Sequence, residues 1–303
     1  DLVADSRLES IVNDTHTIHT FYESNPTTGN RHMKREERWT WKRDLGRGGY
    51  GTVRLETSQS GDQTRVRAIK EIRRTKDTSS GDFIRELEAI AKFSGRRYRH
   101  YFVRSYGWYE TDQAIFIAME YIEFGDLHLY LDAPFPKIEA GLIAGQLVEG
   151  LRFIHQNGFI HRDVKPQVKL TDFGITKRLR EPREVNVNPR FTTRLFGTSG
   201  YVAPEITYPN FAPNMSREAA RDYKFTIDTW GLSIVVFQLI FNRLPFPTTL
   251  QLSKYILGVD HLPLEDYAAS GLSTEGYDFV KNALSASPAE RPSMDKAWAY
   301  KWI

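Results

Sequence analysis

The run Gly46-Arg47-Gly48-Gly49-Tyr50-Gly51-Thr52-Val53 has the spacing G-x-G-x-x-G-x-V. Glycines let a backbone approach phosphate oxygens closely and offer N–H donors with no Cβ in the way. Lys70 stands 19 residues beyond Gly51, in Ala68-Ile69-Lys70, and Glu86 follows on the next predicted helix. A lysine that clamps phosphates carries its charge on a flexible stem, so a carboxylate that holds the ammonium completes a mechanical unit. Singly, each feature has a plain reading: a tight hairpin needs glycine, and lysine and glutamate are common surface charges. A dinucleotide-binding loop shares the first six positions. That rival expects a helix after the third glycine of the motif, whereas Thr52-Val53-Arg54-Leu55 continues as strand. Glu88 is the fallback partner for Lys70, although two positions along a helix turn it to another face.

The elements that must position these residues fall into two halves. Alternating, β-branched stretches at Thr52–Leu55, Arg65–Ile69 and Ala114–Ile117 predict strands. A helix from Asp82 to Phe93 interrupts them, with Phe83, Leu87, Ile90 and Ala91 on one face. After Gly125 the chain turns helical: Ile143, Leu147, Leu151 and Ile154 form a stripe that Asn157-Gly158 ends. A helix over about 227–241 is apolar nearly all round and belongs inside its half. Residues 1–38 are polar and mixed, with no lasting period, and predict a loose extension. His16, His19 and His32 are spaced irregularly there, which reads as solvated loop residues rather than metal ligands. The expected class is α+β, a small strand-rich half before a larger helical one.

With 303 residues the chain can bury two lobes of ordinary size, and 40% hydrophobic against 26% charged residues is a normal globular balance. A net charge of +3 does not argue for a nucleic-acid or membrane partner. Arg96, Arg97 and Arg99 with Tyr98 and Tyr101 have an aromatic-basic texture and little more. Cysteine is absent, which removes disulfides and thiolate metal sites. The longest apolar run, Trp230 to Phe241, is too short to span a bilayer. The expectation is an intracellular protein of cytoplasm or nucleus.

Further motifs follow in order: Met119-Glu120-Tyr121-Ile122, Asp126, His161-Arg162-Asp163-Val164-Lys165-Pro166, Asp172-Phe173-Gly174, Gly197 to Glu205, Asp228 with Trp230, and Arg291-Pro292. With the glycine run, Lys70 and Glu86, they resemble the eukaryotic protein-kinase family, serine/threonine type, over about residues 39–303. The resemblance implies a bilobal kinase fold, with a polar extension at 1–38, an N-lobe and hinge at 39–122 and a C-lobe at 123–303. It implies ATP and Mg2+ as cofactors and a protein substrate bearing serine or threonine. Gly46, Arg47, Gly48, Gly49, Tyr50, Gly51, Val53, Ala68 and Lys70 would surround the nucleotide. Glu120 and Ile122 would face adenine through the hinge backbone, and Asp126 the ribose. Asp163 would orient the hydroxyl and accept its proton, Lys165 would steady the γ-phosphate and Asp172 would hold magnesium. Glu205 would pair with Arg291.

One interval departs from the family pattern. Asp172 follows Asp163 by 9 positions where kinases place roughly 18, and Val168 stands where the family has a magnesium-binding asparagine. Val168-Lys169-Leu170-Thr171 fits the strand that leads into Asp-Phe-Gly, so the asparagine, the preceding strand and its turn are missing, about ten residues. Gln167 carries an amide oxygen one position early. Three explanations stand: a stretch missing from the sequence as written through a wrong splice, a degraded kinase that keeps the fold, binds ATP poorly and serves as a binding scaffold, or a rearranged loop that works. The first is favoured because every other catalytic position is intact. As written, the polypeptide is expected to be weakly active or inactive. Between Asp172 and Glu205, Thr192-Thr193 lies among basic residues, and a phosphate there could pair with Arg162.

Overall fold

The computed structural model describes residues 2–24, 27, 32–48, 51–74, 80–95, 98–166, 169–170, 176–178, 197–208, 217–264 and 271–303. They form two compact units: Asp1–Arg99 with Val103–Phe124, and His100–Phe102 with Gly125–Ile303.

The first unit opens with a short helix, α1 (Leu2–Asp5), and continues through β1 (Glu9–Val12), β2 (His16–Glu23), β3 (Met33–Gly48), β4 (Gly51–Ser60) and β5 (Gln63–Arg73). Helix α2 (Ser80–Phe93) follows, then β6 (Ser105–Glu110) and β7 (Ala114–Met119). The seven strands make one sheet in the order β1-β2-β3-β4-β5-β7-β6, antiparallel throughout. Its two edges meet. Arg7 bridges Trp108 of β6 in parallel, the Leu8 N–H donates to the Trp108 carbonyl (2.7 Å) and the Trp108 N–H to the Ser6 carbonyl (3.1 Å). The sheet therefore curls into a barrel, which leaves fewer unpaired edge groups than an open sheet would.

This overturns the expectation for residues 1–38. Far from a loose extension, they supply α1, two strands and the start of β3, so residue 38 falls inside a strand rather than at a domain boundary. The physical reason lies in the inward-facing residues. Strand β2 alternates between half-buried and buried positions at its start, but the buried ones are Thr17 and His19, which an apolar template passes over. The solvated reading of the histidines fails at His19, which is 1% exposed. His32 is exposed, as expected, at a positive φ of 58°.

The second unit is helical. It contains α3 (Lys137–Gln156), β8 (Phe159–Ile160) paired to β9 (Lys177–Arg178), α4 (Pro204–Thr207), α5 (Arg217–Phe241), α6 (Thr249–Ile256), α7 (Thr274–Ala283) and α8 (Met294–Ala297). Helix α3 runs through the predicted stripe and ends at Asn157, with Gly158 at φ 77°. Leu147, Leu151 and Ile154 are buried. Helix α5 begins ten residues before the sequence pattern suggests, and from Thr226 to Ile240 every residue is buried. A helix enclosed all round this way is the frame on which a lobe is assembled.

Candidate active site

In the barrel unit, β5 presents alternate residues to opposite faces. Ala68 and Lys70 point out of the barrel, and Lys70 meets Glu86 of α2: Nζ donates to Oε1 at 2.6 Å, with the residues 6% and 4% exposed. A buried ammonium tolerates that environment only when paired. The pair predicted from spacing is formed, and it is Glu86, not Glu88, whose carboxylate takes that Nζ–H. The glycine-rich turn joins β3 to β4, with Gly46 opposite Val53, Arg47 opposite Thr52 and Gly48 opposite Gly51. Gly51 sits at φ 131°, and a Cβ there would lie 1.9 Å from the Glu71 carbonyl oxygen, so only glycine fits. Gly49 and Tyr50 lie outside the described residues. Val53 stands opposite Lys70 and Ala68 opposite Met119. The Glu120 N–H donates to the Arg104 carbonyl (2.8 Å), and Ile122 is half-buried.

In the helical unit, the segment after β8 carries His161, Arg162, Asp163 and Lys165. Arg162 has a left-handed backbone, φ 69°, a strained position for a residue with a Cβ. Asp228 of α5 holds it there: Oδ2 accepts the His161 N–H (2.8 Å) and the His155 Nε2–H (2.8 Å), and Oδ1 accepts the Arg162 N–H (2.7 Å). Burial pushes the Asp228 carboxyl up, but the hydrogen bond from His155, the nearby imidazoles and the Arg162 amide outweigh it and leave its pKa below the ordinary value. Asp163, 4% exposed, is aimed by a second set of bonds. Its Oδ1 accepts the Thr198 N–H (3.0 Å) and the Thr198 Oγ1–H (2.9 Å), and its Oδ2 lies 3.5 Å from Lys165 Nζ. Thr198 is a site residue whose bond to Asp163 sequence reasoning did not specify; the signal was Gly197-Thr198 itself. Gly197, at φ 111°, brings this loop against the Arg162 carbonyl, 3.3 Å from where a Cβ would be.

Two supports complete this unit. Glu205 and Arg291 form the expected pair, Oε1 and Oε2 accepting from Nη1 (2.8 Å) and Nη2 (2.9 Å) in full burial. Asp126, predicted for a ribose, is exposed and caps the 3-10 turn Leu127–Tyr130 by accepting the His128 N–H (3.0 Å). Asp172, Gln167, Val168, Thr192 and Thr193 lie outside the described residues. Of the predicted strand Val168–Thr171, Lys169 and Leu170 are described, and Leu170 carries the pairing. It makes an isolated bridge to Phe102, its N–H donating to the Tyr101 carbonyl (2.7 Å), and its side chain packs on Gly150.

These donors suit a polyphosphate: a paired ammonium on a rigid strand and a glycine-bounded turn. Magnesium is normally held by one or two carboxylates together with substrate phosphates. Among the described residues, no group of three or more His, Cys, Asp or Glu able to hold a metal occurs.

A family model described as the protein kinase domain matches residues 39–303. The serine/threonine-protein kinase RAD53 of Saccharomyces cerevisiae is 31% identical over 86% of this chain and 32% of its own length. The serine/threonine-protein kinase cds1 of Schizosaccharomyces pombe is 28% identical over 64% of this chain and 43% of its own. CDPK-related kinase 4 of Arabidopsis thaliana is 25% identical over 88% and 45%. The chain thus spans less than half the length of these relatives.

Proposed function

The chain belongs to the protein kinase domain family, and on that premise we propose that it transfers the γ-phosphoryl group of ATP to serine or threonine hydroxyls of proteins. The observation that carries this reading is the doubly held Asp163. With Oδ1 fixed by Thr198 and Lys165 beside Oδ2, the carboxylate can orient an incoming hydroxyl and take its proton without rearranging. Lys165 and Lys70 offset charge on the phosphate oxygens, Lys70 being held ready by Glu86. Asp172 would hold magnesium, which when bound would offset charge on the phosphates. Positioning is nearly the whole of this chemistry, and both positioning devices are assembled.

The scaffold reading rests on the interval after Pro166. It is not favoured, because the relatives at 25–31% identity over most of the chain carry the name of kinase. No helix of the described residues is long and apolar enough to cross a membrane. The test is Mg-ATP-dependent phosphorylation of a generic serine/threonine peptide by the 303-residue chain. Incorporation on serine and threonine that Asp163→Asn abolishes supports the proposal; no incorporation above the Asp163→Asn background contradicts it.

A further inference from the structure

We propose that the N-terminal segment Leu2–Glu23 is a built-in positioning element for the Lys70–Glu86 pair, and that His19 is its central positioning residue. This rests on the reading of Lys70 as the phosphate-clamping lysine.

The segment reaches both elements that carry the pair. Helix α1 lies alongside α2, the helix of Glu86. It is pinned to the sheet by the Trp108 Nε1–H donating to the Val3 carbonyl (2.8 Å) and by the backbone bonds that close the barrel. Strands β1 and β2 close over the inward face of β5, the strand of Lys70. Ile69, adjacent to Lys70 and fully buried, packs in a cluster with Tyr109, Phe116 and Ala118 to which Leu8 and Val12 are added.

Beside this cluster a polar strut crosses the barrel. Arg67, three residues before Lys70 and 2% exposed, donates Nε (3.0 Å) and Nη2 (2.7 Å) to Glu56 Oε2 on β4, and Nη1 to His19 Nε2 on β2 (2.8 Å). The Trp39 ring lies under its guanidinium at 4.1 Å. Because a guanidinium only donates, His19 Nε2 must offer its lone pair, and the ring proton sits on Nδ1. That proton goes to Ser10 Oγ of β1 (2.6 Å), whose own hydrogen reaches the Leu8 carbonyl (3.1 Å). The relay β1–β2–β5 thus has one direction of donation throughout, and a single tautomer satisfies it. Burial first, and then the Arg67 charge, lowers the His19 pKa to about 3, so the neutral ring that the strut needs is the form present. Strands β2 and β5 are not neighbours in the sheet. The strut therefore fixes a cross-barrel distance that no ladder sets, and with it the height of β5 beneath Lys70.

The experiment is acylation of the full chain by a small amine reagent, with modification of Lys70 read by mass spectrometry and needing no nucleotide. In the wild type, buried and paired Lys70 should react slowly. His19→Leu should raise its reactivity about tenfold or more through local opening, while His19→Gln, which keeps an acceptor for Arg67, should stay within about threefold. In a Glu86→Gln background His19→Leu should add little, whereas general loosening would add its full effect again. Should His19→Leu fail to fold, Ser10→Ala removes the acceptor of the ring proton and should raise Lys70 reactivity in the same direction. Unchanged Lys70 reactivity in the folded variant, or full additivity with Glu86→Gln, overturns the proposal. A wild type that does not phosphorylate any peptide yet shows this acylation pattern would overturn the phosphoryl-transfer reading alone.

Discussion

The interiors of the two units each stand behind a residue proposed for chemistry, and they are built from opposite materials. Behind Lys70 the barrel holds Arg67, Glu56, His19, Glu37 and Thr17 among its aromatic and aliphatic side chains. Behind Asp163 the helical unit holds α5, buried from Thr226 to Ile240 and mostly apolar, with Asp228 turned toward the loop. The barrel positions a strand by side chain meeting side chain. The helix positions a loop by one carboxylate meeting backbone N–H groups. The two differ in how far they satisfy their polar atoms: among the described residues, the buried side-chain polar atoms without a partner are Thr176 Oγ1 and Trp230 Nε1, both in the helical unit. The difference teaches that a polar interior constrains by direction, since each donor needs its acceptor, whereas an apolar one constrains by volume.

That contrast can be broken in graded ways. The largest effect should come from Asp163→Asn, which touches neither interior: kcat should fall by about 10²–10⁴-fold with unfolding unchanged. Peptide phosphorylation beside urea unfolding separates the two. Next, Arg67→Met alone leaves Glu56 buried without its partner and should destabilise by about 3–5 kcal/mol. Adding Glu56→Leu and His19→Leu should restore most of that loss, because an apolar set removes the uncompensated charge. Chemical denaturation of the single and triple variants decides it, and a triple variant worse than Arg67→Met would deny the directional account. In the apolar interior, Leu239→Ala should cost about 2–5 kcal/mol by opening a cavity, with no partner substitution able to rescue it by charge. Leu239 is fully buried, so the same denaturation experiment applies.

A pH titration sharpens the contrast further. The His19 pKa is lowered from 6.5 to about 3, so between those values the unfolded chain binds a proton that the folded chain refuses. Stability from this group is complete above 6.5 and is lost progressively as pH falls toward about 3. The urea midpoint of the wild type should therefore drop more steeply with acid than that of His19→Gln. The smallest effect should be at a surface cap: Ser273 accepts the Gly276 N–H (3.2 Å) at the start of α7. Ser273→Ala should cost about 1 kcal/mol, measured by thermal unfolding.

The two interiors were also unequally legible in the sequence. Helix α5 declared itself by apolar residues on every side, and the Lys70–Glu86 pair by its place on a strand and the next helix. The strands β1 and β2 did not: β1 is four residues long with none fully buried, and the buried positions of β2 carry threonine and histidine, whose burial depends on partners far along the chain. His19 is read as a core residue only once Arg67 is known to face it, 48 positions away. The bonds of Thr198 to Asp163 and of His155 to Asp228 were hidden for the same reason: residue types permit them, and only the fold selects them. Leu170 shows the limit in the other direction. Its strand-like neighbours predicted a strand, and among the described residues Leu170 makes an isolated bridge to Phe102.

Positioning of Lys70 by the cross-barrel strut requires residues 8–23 to be part of the barrel. Hydrogen exchange of the full chain tests that directly, by comparing amides of Thr17–Thr20 with those of Arg67–Lys70. One cooperative barrel predicts that both groups exchange slowly and lose protection together as denaturant is added. Rapid exchange of Thr17–Thr20 beside a protected Arg67–Lys70 would contradict it, and would return the N-terminal residues to a loose extension.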